Sequence, residues 1–239
     1  MKRTPLLLIA MLPFMASAGA GGGTQMAEVD QEKLRNAVPV TEIVGQDVET
    51  RDGEEFGEVE TVAFKQDGSV AYYAIEPEMD WYEEADMSFD ADADALEARV
   101  DDPDLDELIY VQPDKIAFED GGNIVKIDME GNELMQGQSR NEMATSGNLL
   151  DATDIVGMEV DLADAESFGE VEDVMIGQDG KEAVALVVDN WDGANKERRA
   201  LPVALESANL EDESIRYDFS RDALSETGNF ELEQYMDDM

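Results

Sequence analysis

The sequence predicts an all-β protein built from two tandem copies of one small β-barrel. Three observations predict it. The chain repeats itself at an offset of 112 residues: of the 36 pairs from Thr41/Thr153 to Glu76/Val188, 17 are identical. The repeated segments are short Val/Ile-rich runs separated by Asp-Gly turns, the pattern of strands joined by tight connections. Hydrophobic residues make up 43% of the chain, close to the roughly 45–50% of folded globular domains. A repeat this long reads as a duplicated domain, since solenoids stack three or more shorter units.

The first eighteen residues stand apart. Lys2-Arg3 is a positive start, Pro5 to Phe14 is an apolar stretch, and Ala16-Ser17-Ala18 has the small residues of a cleavage site. This is the pattern of a secretory signal peptide, residues 1–18. A membrane span needs about 20 apolar residues, and no other segment could cross a bilayer. The mature chain is therefore expected to be exported, periplasmic or secreted, with no transmembrane span. Residues 19–36 read as a linker.

The first copy occupies residues 37–135. Ile43 to Val48 enters a strand, and Arg51-Asp52-Gly53-Glu54 is a turn. Alternation puts Val59, Thr61 and Ala63 on one face of the next strand, with Glu58, Glu60 and Val62 on the other. Gln66-Asp67-Gly68-Ser69 turns the chain into Val70 to Ile75. A linker at 136–150 leads to the second copy at 151–225, where Ala183 to Val188 reads as a fully buried strand. Both copies finish with a proline-containing turn, at Pro113 and Pro202, and a last strand. With no cysteine disulfides cannot form, so each copy is expected to be held by its own apolar core. Residues 226–239 form an acidic tail that is expected to fray.

The order of these pieces resembles a known family. An opening Ile-Val-Gly-x-x-Val, a turn, Phe-Gly-Glu-Val-Glu-x-Val, an Asp-Gly turn, an apolar strand and a proline-containing turn are similar to the PRC-barrel domain. That domain is named for the photosynthetic reaction-centre H subunit and is shared with a ribosome-maturation factor. The resemblance covers residues 37–129 and 151–222 and implies two tandem PRC-type barrels of the exported bacterial kind. It also implies a non-catalytic binding or assembly module. The chain departs from both named relatives, lacking an uncleaved anchor and the charge for ribosome binding, so no functional residues carry over from them.

Composition narrows the chemistry. Cysteine and histidine are both absent, which removes Ser-His-Asp triads, Cys-His pairs, the usual zinc sites and haem ligated by either residue. Sixteen basic residues, less Lys2 and Arg3, face 59 acidic ones and leave the mature chain at a formal −45. Such a field repels nucleic acid and anionic lipid. It suits a saline medium, where at about 1 M salt the Debye length is roughly 3 Å.

The copies differ most after their third strand. The second has a short loop, Asn190 to Lys196, where the first inserts residues 77–107, with 14 acidic residues and one base, Arg99. Within the insert, Asp90, Asp92 and Asp94 alternate as at the start of a calcium loop, making them candidate metal ligands. Ala95 replaces the sixth-position glycine and Asp101 the twelfth-position glutamate. The competing reading is a solvated acidic loop in which Asp92 or Asp94 caps a short helix through Leu96 and Val100. Trp81-Tyr82 and Trp191 follow the third strand of their copies and read either as lids over a barrel end or as contact anchors. Arg198-Arg199 is the sole basic pair of the mature chain and is expected to make local ion pairs.

These readings converge on a non-catalytic exported tandem module, serving binding or assembly in the cell envelope of a saline-adapted bacterium through an unidentified protein partner. No catalytic residue and no cofactor are assigned. The alternatives are a calcium binder using the insert and, behind it, a hydrolase using an acid pair. Screening should relieve repulsion among the carboxylates, so the thermal midpoint should rise between low and molar NaCl. A midpoint indifferent to salt would remove the saline-adaptation argument.

Overall fold

A computed structural model of the chain describes residues 29–78, 81, 108–119, 122, 124–134, 149–192 and 195–226. Signal-peptide residues 1–18 and nearly all of the insert and tail lie outside this range. Strands dominate, with a few helices of four to six residues. The first half contains α1 (Gln31–Arg35), β1 (Val38–Pro39), α2 (Val40–Ile43), β2 (Asp47–Glu49), β3 (Glu55–Phe64), β4 (Val70–Pro77), β5 (Ile109–Val111), β6 (Ile116–Glu119), β7 (Ile124–Ile127) and α3 (Gly131–Leu134). The second contains β8 (Leu150–Asp151), α4 (Ala152–Ile155), β9 (Glu159–Leu162), β10 (Ala165–Ile176), β11 (Ala183–Asp192), β12 (Asn195–Leu201), β13 (Ala208–Asn209), β14 (Ser214–Arg216) and α5 (Arg221–Glu226). α1 lies within the stretch that the sequence leaves as a linker.

Two seven-stranded sheets result, one ordered β5-β4-β3-β2-β7-β6 with β8 also paired to β3, the other β12-β11-β10-β9-β14-β13 with β1 also paired to β10. Neighbours pair antiparallel except β2 with β7 and β14 with β9, which run parallel. Both sheets are open, which corrects the expectation of closed barrels. Between β12 and β13 the chain carries Pro202, which has no N–H to extend a ladder, and a 3-10 turn at Leu205–Ser207. The buried Tyr217 hydroxyl spans part of this gap, donating to the Pro202 carbonyl at 2.6 Å. In the first half Pro113 opens the 3-10 turn Pro113–Lys115 between β5 and β6.

The opening of each half differs from the sequence expectation. Val40–Ile43 and Ala152–Ile155 are single helical turns, so Ile43 does not enter a strand. Gly45 and Gly157 then reverse the chain at φ of 80° and 94°, a conformation glycine adopts without steric cost. Their amides donate to the carbonyls of Val59 at 2.7 Å and Val171 at 2.8 Å, which seats each turn on its own half's long strand.

The long strands do not alternate simply. Pairing of β3 with β4 shifts register between Val59 and Thr61 and again between Ala63 and Phe64. β10 shifts against β11 between Val171 and Asp173 and between Met175 and Ile176. The first bulge adds a residue to β3 or β10 and flips its later side chains, while the second adds one to the partner strand, β4 or β11. Phe56, Val59, Val62 and Phe64 therefore face the main core, and Ala63 faces the other side of the sheet. Strict alternation had placed Val59 with Ala63 and Val62 opposite.

The repeat is also not gapless through its second turn. Ile75 sits opposite Val59, while Val188, not Val187, sits opposite Val171. Five residues separate β3 from β4 and six separate β10 from β11, so the second copy has one extra turn residue and the offset becomes 113 beyond it.

A single apolar cluster runs through both halves, from Val38, Phe56 and Tyr73 to Phe168, Leu186 and Leu224. The expectation of one core per copy is thus not met. The physical reason is an exchange of opening segments. β1, in the first half, pairs with β10 of the second through Val38↔Ile176 and Pro39↔Met175. β8, in the second half, pairs with β3 of the first through Leu150↔Phe64 and Asp151↔Ala63.

Gly57 and Gly169 occupy equivalent close approaches. A Cβ there would lie 1.9 Å from the Glu76 carbonyl oxygen and 2.1 Å from that of Asp189. Gly57→Ala and Gly169→Ala should each destabilise the fold by about 1–3 kcal/mol, as overpacking against backbone does. Urea denaturation of the two variants checks this, and similar losses are expected because the two sites share one geometry.

Candidate functional site

The two halves meet along a seam built from their exchanged segments and their β3–β4 and β10–β11 turns. Val70 donates its N–H to the Lys181 carbonyl and Ala183 donates to the Gly68 carbonyl, both at 2.8 Å. The Tyr73 hydroxyl donates to the Gly180 carbonyl at 2.8 Å, and burial raises its pKa above the ordinary phenol value. Phe118 lies edge-on to that ring with centroids 6.1 Å apart.

Asp173 is the charged residue drawn into this seam, only 8% exposed. It occupies the β10 bulge, and its carboxylate receives the Thr41 hydroxyl and the Thr41 N–H, the latter at 3.3 Å. The Val174 N–H also donates to it, at 2.7 Å. A side chain of the second half thus caps α2 of the first. The matching position in β3 is Thr61, whose buried hydroxyl has no hydrogen-bond partner. Burial raises the Asp173 carboxyl above its ordinary range, opposed by the hydrogen bonds from Thr41 and Val174.

On the outer side of the second sheet, α1 and the β10–β11 turn enclose an open groove of about 400 Å³. Asp30, Glu32, Lys33, Asp179 and Glu182 line it, with Gln178 at its wall. Lys33 Nζ pairs with Glu182 Oε1 at 2.5 Å, with both side chains about half exposed. That hydrogen bond, and the charge of Glu182, raise the lysine's pKa. Asp30 caps α1, accepting from the N–H groups of Glu32 at 3.0 Å and Lys33 at 3.2 Å. Carboxylates and side-chain amides line the groove, which suits a polar or cationic contact.

A second acidic surface lies where the insert leaves β4. The Glu55 carboxyl is raised mainly by the charge of Glu78, then by Asp47. Lys126 bridges nearby acids, 2.9 Å from Glu119 and 3.6 Å from Glu49. Among the described residues no group of three or more acids is arranged to hold a metal ion. The sequence candidates Asp90, Asp92 and Asp94 lie outside the described residues.

Trp81 acts as a lid. Its ring stacks at 51° on Phe56 with centroids 5.3 Å apart, and its Nε1–H donates to the Glu55 carbonyl at 2.9 Å. Gly131 of α3 passes so close that a Cβ would lie 2.2 Å from the indole. In the second half Arg221 of α5 takes the corresponding place, its guanidinium 5.6 Å from the Phe168 ring centroid. Trp191 falls in β11 with its backbone opposite Lys196, and Tyr82 lies outside the described residues. Arg198 forms an ion pair with Glu172, the local role expected of the basic pair.

Residues 147–224 match the family model of the PRC-barrel domain. The chain carries a PRC-barrel domain. Its matched segment begins just before β8, contains all seven strands from β8 to β14 and ends within α5. No curated protein matches the chain. The PRC-barrel domain draws one of its own pairing strands, β10, against β1, which lies outside the match. Sequence reading missed the groove and Asp173 because their partners are 149 and 132 residues apart. Only the change from Thr61 to Asp173 between otherwise similar copies marked the second.

A carboxyl with a folded pKa above its unfolded value stabilises most when protonated, and that contribution is lost as pH rises through the folded pKa. Asp173→Asn cannot ionise, so the stability of the wild type relative to this variant should decline as pH rises from about 4, the ordinary aspartate value, towards neutrality. Asp173→Ala, which strands the Thr41 and Val174 donors, should cost about 1–3 kcal/mol. Urea titrations of the three proteins across that range give both quantities.

Proposed function

We propose that this protein is a non-catalytic binding or assembly module with two PRC-barrel copies, exported to the cell envelope of a saline-adapted bacterium. The PRC-barrel domain at residues 147–224 carries this reading. That the first half is a second copy is supported by its equivalent bulges, its glycines and the matching registers of β1 and β8. Export is supported by the arrangement of residues 1–18, and the saline setting by the excess of acidic residues. No helix among the described residues is long and apolar enough to cross a membrane.

The groove between α1 and the β10–β11 turn is the contact surface of this module. Its carboxylates favour a partner segment bearing Lys or Arg beside hydrogen-bonding groups. In a saline medium screening leaves only close pairs effective, so these carboxylates act by direct contact with such a segment and set partner choice more than raw affinity.

Pull-down from the envelope fraction at native salt, with the wild type and with the Asp179→Lys/Glu182→Lys variant, tests the surface. A partner retained by the wild type and lost by the variant, with an unchanged melting midpoint, is the expected result. Equal retention would move the contact elsewhere. Export is tested separately by mass spectrometry of the protein from its host, where the mature chain should begin at Gly19. An intact Met1 start would overturn it.

A further inference from the structure

We propose that the seam between the halves is a self-complementary interface whose partner is a second copy of the repeat. Two full-length chains can therefore trade halves to form a dimer. This inference stands on strand registers and packing, independently of the envelope role.

The contacts across the seam are reciprocal. Val38 of the first half opposes Ile176 of the second, and Leu150 of the second opposes Phe64 of the first. Adding 112 to 38 and to 64 gives 150 and 176, so each contact is the other with the halves interchanged. The turns repeat the relation. Val70 donates to the carbonyl two residues before Ala183, and Ala183 donates to the carbonyl two residues before Val70, each at 2.8 Å. Such a surface, in which a patch meets its own copy, is the signature of a two-fold interface.

The outer faces follow the same rule. Val29, Leu34 and Ala37, which lead into β1, pack on Met175, Ala185 and Val187 of the second sheet. Leu149, which leads into β8, packs against the cluster of Ala63, Tyr72 and Tyr110 on the first sheet. Ala37 and Leu149 are again 112 apart. Each half thus contributes an arm to the other and receives one in return.

A half separated from its partner would expose the apolar edge of its long strand and leave its own opening strand unpaired, so each half requires another copy. Nothing in the register distinguishes the copy on the same chain from the copy on a second chain. Residues 135–148, the covalent connection between α3 and Leu149, supply proximity. A covalent connection makes the meeting of the two halves intramolecular, which favours pairing within one chain in dilute solution. Domain exchange between chains then needs no new contact, only a high enough chain concentration.

Two measurements at molar NaCl test this, since screening keeps the two acidic halves from being driven apart by charge. In the first, residues 138–144 are replaced by a protease recognition sequence, and the folded full-length chain is cut. The fragments should co-elute at the mass of the uncut chain, with unchanged circular dichroism. Separate elution of the fragments overturns the proposal. In the second, two full-length chains carrying different affinity tags are unfolded together and refolded at a series of concentrations. Mixed dimers should appear, rising in proportion to concentration, and Val38→Asp/Leu150→Asp should reduce them. Refolding that gives only unmixed monomers at every concentration also overturns it. The unaltered chain of the second measurement decides the matter if the inserted site prevents folding in the first.

Discussion

The structure depends on the pairing of each half's opening strand with the long strand of the other. β1 on β10 and β8 on β3 lie at the ends of long strands whose hairpin pairings shift register twice. The bulges turn Phe64 and Ile176 inward, where they meet one shared apolar cluster. Fully burying one such side chain contributes roughly 1.5–3 kcal/mol, and neither half can bury its set alone. Two open sheets are stable here because the strand edges and faces left incomplete in one half are completed by the other.

Polar groups in the seam follow the same geometry but depart from symmetry. Asp173 satisfies the first turn of α2 across the seam, while Thr61 at the matching bulge leaves its hydroxyl without a partner. The second turn also carries one extra residue in the second half, and the Tyr73 hydroxyl donates to the Gly180 carbonyl of that turn. The ends of the halves diverge similarly, with Trp81 over Phe56 in one and Arg221 over Phe168 in the other. The copies keep the apolar geometry that holds the fold and vary the groups that cap it.

Charge is distributed to suit that core. Acids dominate the sequence, yet among the described residues the buried polar or charged side chains are Thr50 and Asp173. Most other described carboxylates are at least partly exposed, and a few ion pairs such as Lys33–Glu182 and Arg51–Asp128 link turns and helices there. Exposed pairs of this kind contribute little each, so the acidic surface bears on solubility and partner choice more than on cohesion.

By itself the sequence determined the β-rich class, the internal repeat and the exclusion of histidine and cysteine chemistry. These follow from local rules: composition, turn chemistry and short-range alternation are properties of neighbouring residues. The PRC-type order of its motifs was legible for the same reason, and the family match at residues 147–224 supports it for the second half. Tertiary structure alone decided which half each opening strand pairs with, because two copies of one surface present nearly the same register to either partner. It also decided the phase of β3 and β10, since a bulge at Thr61 or Asp173 is set by the opposing strand. The groove at Lys33 and Glu182 likewise arises where distant segments meet, and no spacing along the chain encodes that meeting.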